Sequence, residues 1–326
     1  MRRIVASREM LLLVAIALLL GLVSTRFPGF VEPANLVAVF NDTSPLILLA
    51  IGQMVVILTK CIDLSVAANL ALSGMVAAMT NLAVPDAPIV AILLVATGFG
   101  TILGMINGIL VWKLDIPPIV VTLGTMTIFR GTIFLLTEGK WVNSHEMTHA
   151  FKAFPRTELL GLPVLGWVAV AVVVLFSVIM TRTTLGRAFY AVGGNPNAAA
   201  YVGIDVGRTK FWAFTISGGL AGLTGYLWVS RFAVAYVDIA GGFELDVVAA
   251  CVIGGVSIMG GIGSVPGALL GALFLGVIKN ALPVVNISPF WQLAISGGAI
   301  IIAVALNAQA NRERGRIILK RAEHAA

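Results

Sequence analysis

Gly98-Phe-Gly-Thr-Ile-Leu-Gly-Met-Ile-Asn-Gly108 lies in a run, Ala87 to Trp112, that contains no Asp, Glu, Lys or Arg. Its glycines at 100, 104 and 108 recur every four residues, so on an α-helix they share one face. Lipid supplies no hydrophobic drive between helices, and small residues on one face let backbones approach closely instead. The stretch reads as a packed transmembrane helix. The same spacing recurs at Gly218 and Gly222 and at Gly267 and Gly271.

Working outward, 59% of the residues are aliphatic, aromatic or Cys and only 11% are charged, about half the charged share of a soluble domain. Other charge-free runs are Met10–Thr25, Thr43–Thr59, Leu64–Pro85, Leu159–Thr181 and Phe211–Ser230. Most match the roughly 20 residues a helix needs to cross a bilayer. The long runs from Val247 to Ile278 and from Asn280 to Asn311 are broken by Gly260, Gly261 and Gly263 and near Pro283, Asn286 and Pro289. They divide into spans near Leu245–Met259, Val265–Leu282 and Trp291–Asn307. Ile116–Leu136, carrying Arg130, brings the total to ten. The fold class is an all-α polytopic membrane protein, one transmembrane domain over residues 1–326. Arg2, Arg3 and Arg8 before the first run also resemble a signal peptide, but no small-x-small cleavage signal stands between the end of that apolar run and Arg26.

One pattern extends beyond single helices. Gly98-x-Gly100-x3-Gly104-x3-Gly108 has the spacing of Gly261-x-Gly263-x3-Gly267-x3-Gly271, and Val66-Ala-Ala68 is echoed by Val248-Ala-Ala250. Both pairs are offset by five spans, an odd number, which puts the copies in opposite orientations. Two inverted five-helix halves of this kind occur in transporters.

Charge sets the topology. With a cytoplasmic N-terminus, the inside receives Arg2, Arg3, Arg8, Lys60, Lys113, Arg182, Arg187, Arg208, Lys210, Arg312, Arg314, Arg316, Lys320 and Arg321. The outside receives Arg26, Lys140, Lys152, Arg156 and Arg231. Fourteen against five places both termini in the cytoplasm, with a basic tail over residues 308–326. The net charge of +6 therefore reflects a lipid bilayer and gives no indication of a nucleic-acid partner. Cys61 at the inner face and Cys251 within a span read as reduced, structural residues.

Between two spans, residues 182–210 form a basic loop containing Gly186-Arg-Ala-Phe-Tyr-Ala-Val-Gly-Gly-Asn-Pro-Asn-Ala-Ala-Ala-Tyr-Val-Gly-Ile204. Asn195 suits an N-cap and Pro196 the first helical position, and Gly203 suits a left-handed stop. A short capped helix results, with Gly194, Asn195, Pro196, Ala199, Tyr201 and Gly203 as candidate docking residues for a soluble partner. The plain alternative is an ordinary connector.

Polar groups inside spans are costly and mark candidate pathways. The neutral ones are Gln53, Asn69, Ser73, Asn107, Thr122, Thr125, Thr127, Ser217, Gln292 and Ser296. They suit a neutral polyhydroxylated solute, or simply hydrogen bonds between helices. Asp63, Asp115, Glu244 and Asp246 fall at span ends, away from a predicted midplane where an ion-coupled carrier commonly needs a carboxylate. Arg130 and Lys279 are embedded and are expected to snorkel or to pair with a carboxylate such as Glu244 or Asp246. Asp63, Arg130, Glu244, Asp246 and Lys279 are thus structural or gating candidates. No catalytic residue emerges. The chain has no Gly-x4-Gly-Lys-Ser/Thr phosphate loop. His145-Glu-Met-Thr-His149 has the His-Glu-x-x-His spacing of a helical zinc site but no third ligand, and the sequence assigns no metal.

Several segments resemble the permease subunits of bacterial ATP-binding-cassette sugar importers of the ribose type. They are Ile57–Ser65, Val121–Gly131, the Gly186–Ile204 loop, Glu244–Ala250, Gly254-Gly255 and Gly260-Gly-Ile-Gly263. The resemblance runs from about Leu46 to Asn307. It implies a pair of permease chains, identical or related, in the bacterial inner membrane. It also implies an ATPase docked on the 195–203 helix and a periplasmic binding protein that delivers the sugar. ATP and Mg would sit on the ATPase, with no cofactor on this chain. The family usually has Gly-Gly before Ile-Asp-Leu-Ser, where this chain has Lys60-Cys61, and Gly-Ser after it, where this chain has Ala67-Ala68. That departure and Thr137–Val142 resemble subgroups for rhamnose-like deoxyhexoses or autoinducer-2. The competing functions are an ion-coupled secondary sugar carrier and a membrane metalloprotease using His145, Glu146 and His149.

Overall fold

The computed structural model describes residues 8–285 together with Ser288, Trp291, Ala294, Gly297, Gly298 and Ile301. Gln292, Ser296, most of the span expected at 291–307 and the basic tail lie outside the described residues. The helices are α1 (Arg8–Ser24), α2 (Pro33–Leu58), α3 (Val66–Ala83), α4 (Ile89–Lys113), α5 (Pro118–Thr137) and α6 (His149–Ala153). They continue as α7 (Val164–Arg182), α8 (Thr184–Gly194), α9 (Pro196–Tyr201), α10 (Val206–Phe232), α11 (Phe243–Ile253) and α12 (Val265–Val284). Among the described residues the one sheet is a small antiparallel hairpin, β1 (Glu158–Leu159) with β2 (Leu162–Pro163), and an isolated antiparallel bridge joins Val142 to Ala235.

Among the described residues, α2, α3, α4, α5, α7 and α12 are long and apolar enough to cross a membrane. Their outward faces are apolar: Leu135 is 80% exposed, and Leu94, Ile102, Ile128, Val174 and Leu175 are also exposed. Such a surface is covered by lipid, and the chain is a membrane protein.

α10 is the central element and packs against α2, α3 and α4. Its contact with α4 is the glycine seam read from the sequence. A Cβ on Gly100 would stand 2.5 Å from Gly222 Cα, and one on Gly104 would stand 2.9 Å from Gly218 Cα. Gly108 meets Phe211 at one end of the seam and Gly100 meets Gly222 further along, so α4 and α10 are antiparallel. α11 and α12 repeat the device: a Cβ on Gly271 would stand 2.7 Å from Gly254 N. Among the described residues the two repeat copies thus use different partners, α4 against α10 and α12 against α11.

Two boundaries differ from the sequence reading. α2 begins at Pro33, well before the charge-free run, because Asp42 inside it is ion-paired with Arg231 of α10. Arg231 also donates to Asn41 O at 2.7 Å. The span expected over Leu245–Met259 is not one helix. α11 has 11 residues, about 16 Å of rise, half the bilayer core. It ends where Gly255 turns with φ +85° and Ser257 N bonds Ile262 O at 2.8 Å. The irregular segment 233–242 leads from α10 into α11.

Candidate functional site

The elbow between α7 and α10 is built from caps. Thr183 Oγ1 accepts from Gly186 N at 3.1 Å and starts α8. Asn195 Oδ1 accepts from Ala198 N at 3.1 Å, and Pro196 opens α9. Gly203, with φ +86°, ends the turn after α9. Gly194 and Asn195 are exposed and Tyr201 is 92% exposed, but Ala199 is 3% exposed and faces inward. The outward face of α9 is therefore carried by Asn197, Ala198, Ala200 and Tyr201, with the exposed Arg187 and Arg208 beside it.

The elbow is seated on the bundle through glycine. Gly193 lies flat against Leu58 O and Gly261 N, where a side chain has no room. A Cβ on Gly261 would stand 2.7 Å from Gly194 N. Gly261 N donates to Leu58 O at 3.0 Å, and Tyr190 OH donates to Gly263 O at 2.9 Å. Burial raises the Tyr190 phenol, which stays protonated and so able to donate. Gly260 and Gly261, with φ of +79° and +72°, make a turn that L side chains rarely adopt.

The intramembrane polar residues bond mostly to one another. Asp63 is 2% exposed; its Oδ1 accepts from Ser65 N at 3.0 Å and Ser65 Oγ at 2.6 Å, and its Oδ2 accepts from Ser217 Oγ at 3.0 Å. Asn107 Nδ2 donates to Ser65 Oγ at 2.8 Å, while its buried Oδ1 has no hydrogen-bond partner among the described residues. The Gln53 amide, oriented so that both its groups are met, donates to Asp63 O and accepts from Asp63 N, each at 3.1 Å. Ser73 Oγ donates to Asn69 Oδ1 at 2.9 Å, and Asn69 Nδ2 donates to Gly100 O at 3.1 Å. Thr122 reaches Ile62 O at 3.3 Å and Thr125 bonds Val121 O at 3.1 Å. Asp63 thus lies in the short connection between α2 and α3 and is buried there among hydroxyl and amide donors.

Among the described residues Arg130 forms no ion pair with a carboxylate. It donates to Val237 O and Ile239 O, both at 2.7 Å, with Asp238 and Glu244 in its electrostatic field. These carbonyls belong to the irregular segment before α11, where no helix satisfies them, and Arg130 supplies the donor they need. Lys279 of α12 pairs with the buried Asp246 of α11. Cys61 and Cys251 are free and buried, and Cys251 Sγ approaches Ala50 O at 3.2 Å.

The His-Glu-x-x-His spacing is not on one helix. Glu146 Oε2 accepts from Asn143 N at 2.7 Å, and Thr148 caps α6, which begins only at His149. Asn81 of α3 fixes that cap, accepting from Thr148 N and donating to Thr148 Oγ1, each at 3.0 Å. The two histidines therefore lack the i, i+4 helical register that zinc ligation requires.

A lipid-exposed helical bundle with a broken helix, buried polar bonding and a capped elbow at one end defines a membrane transport permease. The chain belongs to the family described as branched-chain amino acid transport system / permease component, whose model matches residues 35–304. It is 38% identical over 290 residues to the ribose import permease of Bacillus subtilis (strain 168), covering 89% of each chain. It is 37% identical to the D-allose transport system permease of Escherichia coli (strain K12), covering 91% of this chain and 89% of the other. It is 34% identical to the autoinducer 2 import system permease of Enterobacter sp. (strain 638), covering 94% and 88%. No solved structure matches it. The chain is a transport subunit and not an enzyme, and these relatives support the importer over the ion-coupled carrier.

Proposed function

We propose that this chain is the membrane subunit of a bacterial ATP-binding-cassette sugar importer, with residues 182–210 as the coupling loop. The observation that carries this is α9, a six-residue helix closed by Asn195 and Gly203 that stands out from the membrane end of the bundle. A soluble ATPase grips such a helix, and closure of the ATPase pair around ATP and Mg moves it. The substrate class is a small polyhydroxylated sugar: a pentose, a rhamnose-like deoxyhexose or an autoinducer-2-like furanosyl compound. The names of the relatives support this class.

The remaining organisation follows from the same proposal. Ten spans, arranged as two inverted five-helix halves, form a single transmembrane domain over residues 1–326 in the inner membrane. Both termini and the 308–326 tail face the cytoplasm. The opposite directions of α4 and α12 relative to the elbow support the inversion, since α4 runs towards it and α12 away from it. A second permease chain, the same or related, completes the pathway, and a periplasmic binding protein delivers the sugar. Because the described pathway candidates bond to each other and to backbone, sugar contact falls to their remaining free atoms or to other faces.

The test is co-purification of the tagged chain from native membranes. An ATPase bearing a phosphate-binding loop should accompany it and be lost on Tyr201→Asp, which alters a 92% exposed side chain without touching the core. A chain that leaves the membrane alone and still moves ribose in vesicles lacking ATP would overturn the proposal.

A further inference from the structure

Seven residues, Thr59 to Ser65, separate α2 from α3, and they touch both the elbow and the buried polar centre. On the elbow side, Leu58 O receives Gly261 N and faces Gly193, and a Cβ on Gly260 would stand 2.5 Å from Lys60 Cγ and 3.1 Å from Lys60 N. On the core side, Asp63 and Ser65 bond Ser217 of α10 and Asn107 of α4, and Ile62 O accepts from Thr122 of α5. The segment is short, has no helical ladder of its own, and is buried at Cys61, Asp63 and Ser65.

A segment gripped at both ends transmits displacement, provided its own connection does not slip. Asp63 prevents that slip. Its carboxylate takes two donors from Ser65, turning the chain into α3, and a third from Ser217, tying that turn to α10. Among the described residues no cation pairs with Asp63, so its bonding is to local hydroxyl and amide groups alone. Gln53 locks the Asp63 peptide to α2 on the other side.

We propose that residues 59–65 are the relay that carries movement of the α8–α9 elbow into the α3, α4 and α10 core, with Asp63 as its positioning residue. This rests on α9 being the ATPase docking helix. When the elbow is pressed towards the bundle, Gly193 and Gly260–Gly261 cannot advance without displacing Leu58 and Lys60, because no side chain separates them. The Asp63 clamp then turns that displacement into movement of the first turn of α3 against α10.

Cys61 is a built-in reporter: it lies in the relay and is buried, while Cys251 is equally buried in α11 and serves as the reference. The experiment uses the full transporter with its ATPase, treated with N-ethylmaleimide with and without ATP plus vanadate, and labelling is read peptide by peptide. Trapping the ATPase should change the Cys61 labelling rate by about tenfold, within the usual range of coupling between sites, and leave Cys251 unchanged. In Asp63→Ala, or in Ser217→Ala should the first variant fail to assemble, Cys61 labelling should become fast and independent of nucleotide. Nucleotide-independent labelling of Cys61 in a wild-type complex that binds and hydrolyses ATP would overturn the relay. Absence of any ATPase from the purified complex would instead overturn the docking assignment, so the two failures are distinct.

Discussion

The α4–α10 seam and the α8–α9 elbow are both made by glycines pressed against backbone, yet they do opposite work. In the seam, Gly100, Gly104, Gly218 and Gly222 sit inside two continuous helices whose hydrogen bonds are complete before they meet. At the elbow, Gly193, Gly260 and Gly261 sit at helix ends and in a turn, where each part is held by one or two bonds. The seam closes over many turns of helix and has nowhere to go. The elbow closes at a point and can pivot. Close backbone approach therefore gives rigidity when it is distributed along helices and a contact able to pass on force when it is local.

The largest effect expected from this contrast is in the seam. Gly104→Leu places a side chain where even a Cβ would be 2.9 Å from Gly218 Cα, with backbone on the far side and no flexible neighbour to yield. Overpacking of a closed core costs about 1–3 kcal/mol when it can relax, and here the helices must separate. The variant should fail to give a monodisperse peak in detergent. A Gly104→Leu protein with normal size-exclusion behaviour would mean that the seam is looser than its geometry.

That seam was legible in the sequence because four-residue spacing is a property of one helix and needs no knowledge of the partner. The capped α9 was legible for the same reason, since Asn195, Pro196 and Gly203 act within a few residues of one another. What could not be read depends on distant parts of the chain. The span-end position of Asp63 is readable but its burial is not, because Ser217 lies 154 positions away and only the fold brings it to the carboxylate. Asp42 broke an apolar run on paper, whereas Arg231 pairs with it in the bundle. The span over Leu245–Met259 is shorter than the sequence indicates because hydropathy sums over Gly255 without registering that it turns the chain. Ala199 shows the limit of the docking assignment. The helix was foreseeable, but which of its faces is buried depends on what it rests upon.

A second, smaller effect should appear at the elbow. Gly193→Ala pushes a methyl group against Leu58 O and Gly261 N, but the elbow can swing outward, so the cost should be local, about 2 kcal/mol. Hydrogen exchange should show it. Amides over 190–204 and 256–263 should exchange about thirtyfold faster, while those of α4 and α10 keep their protection. Equal loss of protection in α4 and α10 would mean that elbow and seam are one cooperative unit, and the comparison would collapse.

The smallest effect has the opposite sign and bears on the residue between the two regions. Lys60 holds φ +64°, in the left-handed region, with its side chain exposed and part of its stem against Gly260. For an L residue that conformation costs roughly 1–2 kcal/mol. Glycine removes the cost but restores about 0.5–1 kcal/mol of unfolded-chain entropy. Lys60→Gly should thus stabilise the protein by about 0.5 kcal/mol, raising the midpoint of thermal unfolding in detergent by about 1 °C. A left-handed turn after α2 suits the glycine that the permeases resembled usually carry here, and this chain holds it with a strained lysine. A lower midpoint would show that the contact of the Lys60 stem with Gly260 contributes more than the left-handed turn costs. Lys60 would then belong to the elbow as a packing residue and not merely as a link in its backbone.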